Sequence, residues 1–430
     1  MAIFHMRGTL LGMLLLTGQC GLAQADNAKA EVPRPERWVA SWGTAQMIPD
    51  GQNALPADKW RDATLRQVVR LSIGGERLRV RISNVFGSQP LIVNAASVGL
   101  PARAPLPDLI PDSLRALSFS GRASVMIPAG TEAYSDPVEL RVGRAADLAI
   151  SLHFKAEPAR QTGHPGARSN NYVAPGNLVM SAALPGAETF TRWYQIADVE
   201  VAAPASTRAV VAIGDSITDG YGVAANTNTR WTDWLAKRMA AGGLANMGVV
   251  NAGIGGGRML RDGLGPNLAS RFDRDVLARS GVSHAIVLIG VNDMGGLHKS
   301  GQDSPEARQA MLDDLKDSYR QLAERAHAHG VCLIGGTMTP YAGSGYYSPG
   351  AENEKDRQAV NAWIRSSPLF DGVADFDAAL RDPAQPDRLL KAVDNDGLHP
   401  SAEGYRVMAD AVPLQQLAAC RFSPAPAPVK

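Results

Sequence analysis

Between Arg37 and Ala205 the chain alternates apolar and polar residues with a period of two. Val69, Leu71 and Ile73 lie on one side, Gly74-Gly75 interrupts, and Leu78, Val80 and Ile82 resume the alternation. Period two places successive side chains on opposite faces of a strand, and a glycine pair between two such runs predicts a β-hairpin. Val138-Leu140-Val142 and Leu148-Ile150-Leu152-Phe154 repeat the pattern, with Gly, Pro and Asp marking turns and a short helical segment near Asp112 to Ala116. Many short alternating runs predict an antiparallel, jelly-roll-like β-sandwich over residues 37–205.

The texture changes at Arg208. Apolar strands are read at Ala209–Ile213, Gly248–Asn251, Ala285–Ile289, Val331–Gly335 and Val373–Phe376. Between them lie helical periods: one placing Trp231, Trp234, Leu235 and Met239 on one face, then Arg271–Arg279, Pro305–Ala328, Glu352–Ile364 and a closing Ser401–Ala419. The stretch after Asn292, including His298, reads as a loop. Strands apolar on both faces, alternating with helices, predict a parallel sheet covered on two sides. Residues 206–420 are therefore expected to form an α/β, three-layer domain. Residues 421–430 alternate Ala and Pro and are expected to be extended.

The amino-terminal stretch carries different information. Arg7, the apolar run Leu10 to Leu16 and the small-x-small site Ala23-Gln24-Ala25 form the pattern of a secretory signal peptide over residues 1–25, with 26–36 as linker. The run is too short for a membrane-spanning helix. Gln19 stands where lipidation of Cys20 would need a small residue. The expected location is the periplasm or the exterior. With 43 basic and 42 acidic residues the formal charge is +1, which offers no field for nucleic acid or an anionic membrane. Cys332 and Cys420 would survive removal of the leader, and an oxidising compartment would permit a disulfide between them. No metal-ligand cysteine spacing is present, and no metal or cofactor is expected.

Candidate chemistry begins where the first apolar strand ends, at Gly214-Asp215-Ser216. A serine at the carboxyl end of a parallel strand sits where α/β domains place their sites. The same triplet also suits a helix N-cap. A serine hydroxyl needs a base, and of the eight histidines His399 stands out because Asp396 precedes it by three residues. That carboxylate can hold Nδ1–H and leave Nε2 to take a serine proton, although an acidic turn before a helix has the same spelling. Asn251 to Gly257 is glycine-rich and suits backbone N–H donation to an oxyanion, or a plain turn. Asn292, after the third strand, offers an amide donor or an Asx turn. Ser216, Gly256, Asn292 and His399 follow consecutive units and would converge on one sheet edge.

These residues are the ones by which the chain resembles the SGNH hydrolase (GDSL esterase/lipase) family. The four motif blocks are Gly-Asp-Ser around Ser216, Asn-x-Gly-Ile-x-Gly ending at Gly256, Gly-x-Asn-Asp from Gly290 to Asp293, and Asp-x-x-His from Asp396 to His399. The likeness implies a flavodoxin-like fold with a five-stranded parallel sheet, Ser216 as nucleophile, His399 as base and Asp396 as its orienting acid. It implies an oxyanion hole of the Ser216 and Gly256 N–H groups and the Asn292 amide, with Asp215 and Asp293 in support. Upstream, Trp38–Thr44, Arg66–Arg70 and Ser83–Gly87 look like the amino-terminal β domain of secreted bacterial members. Arg230–Leu235 and Arg271–Leu277 are similar to the branch that includes acetylxylan esterases.

The expected reaction is ester hydrolysis through an acyl-serine intermediate. The expected substrate is a short-acyl, acetyl-like ester of a saccharide, with Tyr341, Tyr346 and Tyr347 as rings on which a sugar would stack. A lipase or lysophospholipase is the rival reading, and a carbohydrate-binding protein with an inactive hydrolase fold a more distant one. A base of ordinary pKa would lose activity below about pH 6.5.

Overall fold

The computed structural model describes residues 36–420. The signal-peptide reading and the extended-tail reading lie outside them.

The parallel sheet positions the chemistry. Its strands are Arg208–Gly214, Met247–Gly253, Val282–Leu288, Cys332–Gly336 and Gly372–Ala374. Their spatial order is second, first, third, fourth, fifth, all parallel. The order reverses between the first and third strands, and a crevice opens there beyond their carboxyl ends. The connecting helices are α1 (Ser216–Asp219), α2 (Trp231–Ala241), α3 (Leu268–Phe272), α4 (Val291–Lys299), α5 (Pro305–Ala328), α6 (Ala351–Ser366), α7 (Phe376–Leu380), α8 (Ala402–Ala411) and α9 (Leu414–Ala418).

Alternation along the first strand makes the layers visible. Ala209, Val211 and Ile213 share an apolar cluster with Phe272, Leu315, Tyr319, Leu322 and Ile364 of α3, α5 and α6. Val210 and Ala212 face the other way, toward Trp231, Leu235, Met239, Phe376, Tyr405 and Met408 of α2, α7 and α8. Each strand is thus apolar on both faces because a helical layer covers each.

The amino-terminal region forms antiparallel sheets. One contains Glu36–Gly43, Gly75–Ser83, Glu132–Tyr134, Val138–Val142 and Ile196–Pro204; the other contains Ala63–Arg70, Ala95–Gly99, Arg115–Ala116, Asp147–Phe154, Asn171–Pro175 and Glu188–Phe190. Leu78, Val80, Ile82, Val199 and Val201 from the first meet Leu65, Val69, Leu148, Ile150 and Leu152 from the second in one apolar cluster.

The hairpin expected across Gly74-Gly75 does not form. Ala63–Arg70 pairs with Asp147–Phe154 and Asn171–Pro175, whereas Gly75–Ser83 pairs with Ile196–Pro204 and two shorter strands, so the chain crosses from one sheet to the other. A Cβ on Gly74 would lie 2.4 Å from the Val142 carbonyl oxygen, and one on Gly75 would lie 2.9 Å from that of Ala202. The glycines serve close backbone approach rather than a tight turn. Either topology turns the same residues toward one core, so the alternation alone could not distinguish them.

Helices also depart from expectation. The segment after Gly290 is α4 rather than a loop. Gly295 and Gly296 weaken its intrinsic propensity, and packing against α5 and α6 supplies what the local sequence lacks. The 271–279 helix is α3 running into a π-helical turn, Asp273–Leu277. The closing helix is two, α8 and α9, separated at Val412-Pro413. Near residue 112 there is only a 3₁₀ turn, Pro111–Ser113.

Met247–Gly253 is an edge strand of the parallel sheet, and the β region covers it. The Ser72 hydroxyl oxygen accepts from the Val249 N–H at 2.8 Å. Such cover prevents an exposed edge from recruiting another strand. Arg279 ties the same seam: it donates to the Thr44 and Ala197 carbonyls and to the Asp198 carboxylate, each at 2.9 Å. Asp198 is fully buried and also pairs with Arg81 at 2.9 Å. Removing one member of a buried ion cluster leaves a desolvated charge and orphaned carbonyls. Arg279→Met is therefore expected to lower unfolding free energy by about 3 kcal/mol or more; urea denaturation of the two proteins measures it, and a loss below about 1 kcal/mol would remove Arg279 as a principal tie.

Candidate active site

The first strand ends at Gly214, and the chain turns into α1 with Asp215 as N-cap. The Asp215 carboxylate accepts from the Ile217 N–H at 2.9 Å. Ser216 thus occupies the first helical position rather than the cap, at the rim of the sheet. Arg271, fully buried, donates to the carbonyls of Gly214 at 2.9 Å and Ala252 at 2.7 Å, fixing the ends of the first two strands. Asn251 joins this frame by donating to the Thr218 carbonyl at 2.6 Å and to the Thr232 hydroxyl at 3.0 Å.

His399 arrives from the loop before α8. Its Nε2 lies 2.8 Å from the Ser216 hydroxyl oxygen, and its Nδ1 lies 2.9 Å from an Asp396 carboxylate oxygen. The carboxylate only accepts, so Nδ1 carries the proton and Nε2 is the acceptor for Ser216. Asp396 also accepts the backbone N–H groups of Leu398 and His399, at 3.1 and 2.8 Å, which fix the loop around the carboxylate. Burial works against the Asp396 anion, but these N–H groups and the imidazole outweigh it, and its pKa falls below the ordinary value. The Tyr221 ring stacks on the imidazole with centroids 4.1 Å apart.

Hydrogen-bond donors gather beside Ser216. Among the described residues, neither the Ser216 nor the Gly256 backbone N–H has a protein acceptor. Gly256 has φ +67°, a conformation that costs glycine little. The Asn292 amide donates one hydrogen to the Gly257 carbonyl at 2.8 Å, while its oxygen accepts from the Tyr347 hydroxyl at 2.6 Å. Its orientation is thereby fixed, and its second N–H stays available to a second acceptor. Asp293 holds the same loop from behind, accepting from the Met259 and Leu260 N–H groups at 2.9 and 3.1 Å. Three donors near a hydroxyl whose proton has an acceptor form the arrangement used to stabilise a developing oxyanion.

Residues 212–407 match the model of the GDSL-like lipase/acylhydrolase family. This region is a GDSL-like hydrolase domain. No curated protein matches the chain. Among solved structures it is similar to Axe2, an acetylxylan esterase from Geobacillus stearothermophilus, at 20% identity, covering 51% of this chain and 97% of that one with TM-score 0.36. It is also similar to a GDSL-like lipase from Bacteroides thetaiotaomicron, at 18% identity over 49% of this chain and 87% of that one, TM-score 0.36. A third is the α/β hydrolase LAE5 from the metagenome of Lake Arreo, at 20% identity, 47% and 92% coverage and TM-score 0.34.

The GDSL-like domain brings Ser216, Gly256, Asn292, Asp396 and His399 to one rim, with Asp215 and Asp293 beneath. Burial pushes the Asp215 carboxyl up to about 7, opposed by the Ile217 N–H and reinforced by Asp293. Burial likewise raises Asp293. Burial thus disfavours negative charge on both acids beneath the rim.

The tyrosine expectation needs correction. Tyr341 and Tyr347 are 1% and 7% exposed and pack with Val291 and Leu398, so neither can stack on a sugar. A Cβ on Gly295 would lie 2.5 Å from the Tyr347 ring, so the ring lies flat against α4 and its hydroxyl is aimed at Asn292. Only Tyr346, 65% exposed and capped by the Lys299 ammonium 3.4 Å from its ring centroid, remains as a platform. Cys332 and Cys420 form a disulfide, with Cα atoms 5.6 Å apart, linking the fourth strand to the end of α9. His284 lies beside them, but sulfurs bonded to each other are poor metal ligands.

The sequence puts His164 in the β domain, at the head of a loop that would wall the cleft if that domain is structural, but gives it no partner at the site. From the β region its Nδ1 reaches the Ala45 carbonyl at 2.9 Å and its Nε2 reaches Asp219 of α1 at 2.8 Å. A carbonyl can only accept, so Nδ1–H is present, and the second bond holds another proton between ring and carboxylate. Asp219 belongs to the Gly-Asp-Ser block, but its partner lies 55 residues upstream and no local spacing announces it.

Two outcomes follow from this geometry. Burial pushes the His399 imidazole below its ordinary 6.5, with Asp396 opposing and Arg168 lowering it further. The base stays unprotonated to lower pH, so the acid limb of kcat/KM should have its midpoint below 6.5 instead of at the ordinary value; a pH profile giving 6.5 or higher contradicts this. Tyr347→Phe should lose the bond that orients Asn292, worth about 1 kcal/mol, and lower kcat about fivefold with little change in KM. Steady-state kinetics on 4-nitrophenyl acetate measure it.

Proposed function

We propose that the chain is an exported serine ester hydrolase that removes short acyl groups, acetyl above all, from a saccharide. The observation that carries the enzymatic part is the 2.8 Å contact between the Ser216 hydroxyl and His399 Nε2, with Asp396 on the far nitrogen and three donors alongside. In this reading His399 takes the serine proton as Ser216 attacks the acyl carbon. The N–H groups of Ser216 and Gly256 and the Asn292 amide receive the oxyanion. His399 returns the proton to the leaving alcohol and then activates the water that releases the acid.

The cleft favours a polar alcohol. A cavity of about 420 Å³ beside the site is lined by Asn53, His164, Arg168, Thr191, Arg192 and Asp219, with Met47, Pro165, Val223, Ala225 and Leu264 as apolar members. Hydroxyl groups of a sugar find partners on such walls, whereas a long acyl chain does not. Leu264, 71% exposed over Gly256, is the feature that favours the lipase reading. Export is supported by residues 1–25 of the sequence and by the Cys332–Cys420 bond, which suits an oxidising compartment. Among the described residues no helix is long and apolar enough to cross a membrane.

A series of 4-nitrophenyl esters from acetate to palmitate, assayed with the wild type and Ser216→Ala, tests the reading. Acetate should be cleaved fastest, and Ser216→Ala should lose at least about a thousandfold in kcat. A maximum at eight carbons or beyond would favour the lipase, and turnover by Ser216→Ala would remove the serine from the chemistry.

A further inference from the structure

The same cleft carries a charge that ester cleavage does not require. Arg168 and Arg192 both line it, and neither has a carboxylate partner among the described residues. Arg192 donates from Nε to the Asn53 side chain at 3.2 Å, and the buried Nε of Arg168 has no hydrogen-bond partner. Most arginines of this chain that approach its interior are neutralised: Arg81, Arg271, Arg274, Arg279 and Arg357 all meet carboxylates. The cleft's own acid, Asp219, is already engaged by His164.

Arg168 is also held in place. Its backbone adopts φ +48°, uncommon for a residue with a side chain. The Asn226 N–H binds its carbonyl at 2.9 Å, and the Asn226 side chain binds the Asn170 N–H at 2.8 Å. The guanidinium carbon sits 5.7 Å from the Tyr221 ring, whose other neighbour is the His399 imidazole, 4.1 Å away. The cleft wall also includes Gly255 and Leu264, the immediate neighbours of Gly256. The unpaired guanidinium therefore lies on the wall of a cavity that borders the Gly256 loop and, through Tyr221, adjoins the His399 imidazole.

Resting on the saccharide reading above, we infer that Arg168, assisted by Arg192, receives a carboxylate on the alcohol part of the substrate, so that the preferred ester is an acylated acidic sugar of the uronic acid type. A planar guanidinium matches a carboxylate with two parallel hydrogen bonds, and a partly buried one gains more from an anion than from a hydroxyl. The β region then acts as a specificity element, since residues 164–168 and 191–192 come from it while the hydrolytic groups do not.

The test compares two probes that differ in one group: the acetylated methyl glycosides of galacturonic acid and of galactose, with acetate release measured at constant ionic strength. The ratio of their kcat/KM values is the readout, because an effect of Arg168 on the imidazole acts on both esters alike. The wild type should favour the acidic ester by about tenfold or more, through KM. Arg168→Gln should bring the ratio close to one, Arg168→Lys should restore part of it, and Arg192→Gln should reduce it by a smaller factor. A wild-type ratio at or below one, or one unmoved in both glutamine variants, overturns the inference and leaves the saccharide reading standing. Cleavage of 4-nitrophenyl acetate with neither sugar ester touched defeats both.

Discussion

A hydroxyl and an imidazole separated by 183 residues must stay 2.8 Å apart, and much of the α/β domain's architecture serves that distance. The two groups ride on different elements, α1 and the loop before α8. Both emerge at the carboxyl rim of a sheet whose strand ends are clamped. Arg271 is central to the clamp, because a single buried guanidinium holds carbonyls at the ends of two adjacent strands. A guanidinium suits this task since its several donors lie in one rigid plane, so the carbonyls it binds cannot move independently.

Around that contact the polar groups are arranged in depth. Asp396 sets the proton on the far side of the imidazole, Tyr347 sets the Asn292 amide, and Asp293 sets the loop that carries Gly256. Each of these residues acts on a group that would meet the substrate, and each is largely withdrawn from solvent or fixed by several hydrogen bonds. Pre-organisation of this kind matters for ester hydrolysis because dipoles already aimed at the developing charge need no reorientation during the reaction.

The β region is bound to this arrangement by more than a linker. It covers the edge strand at Val249, shares Arg279 with the seam through Asp198, and inserts His164 against Asp219 at the base of α1. Its loops form one wall of the cleft, so the shape of the cleft and the placement of α1 depend on the same contacts. A change in those loops would alter both together.

The four motif blocks, the switch from period two to alternating strands and helices, and the Cys332–Cys420 pair were legible in the linear chain. Motifs of that type encode local geometry: an N-cap after a strand, an acid three residues before a histidine, a glycine that tolerates positive φ. The hairpin at Gly74-Gly75 and the fates of Tyr341 and Tyr347 were not legible. Period two reports which face of a strand is apolar but not which strand lies beside it. A tyrosine in a glycine-rich loop has one spelling whether its ring faces solvent or packs on α4. α4 was missed because its glycines hide a helix that tertiary packing sustains. The contacts of His164 and Arg279 were beyond reach for a related reason, as their partners are distant in sequence and chosen by how the β region docks. The sequence by itself determined the candidate serine, histidine and acid and the sheet that carries them, because those depend on local backbone chemistry. Only the tertiary structure decided which charges surround the cleft, because burial and pairing are properties of surfaces brought together by folding.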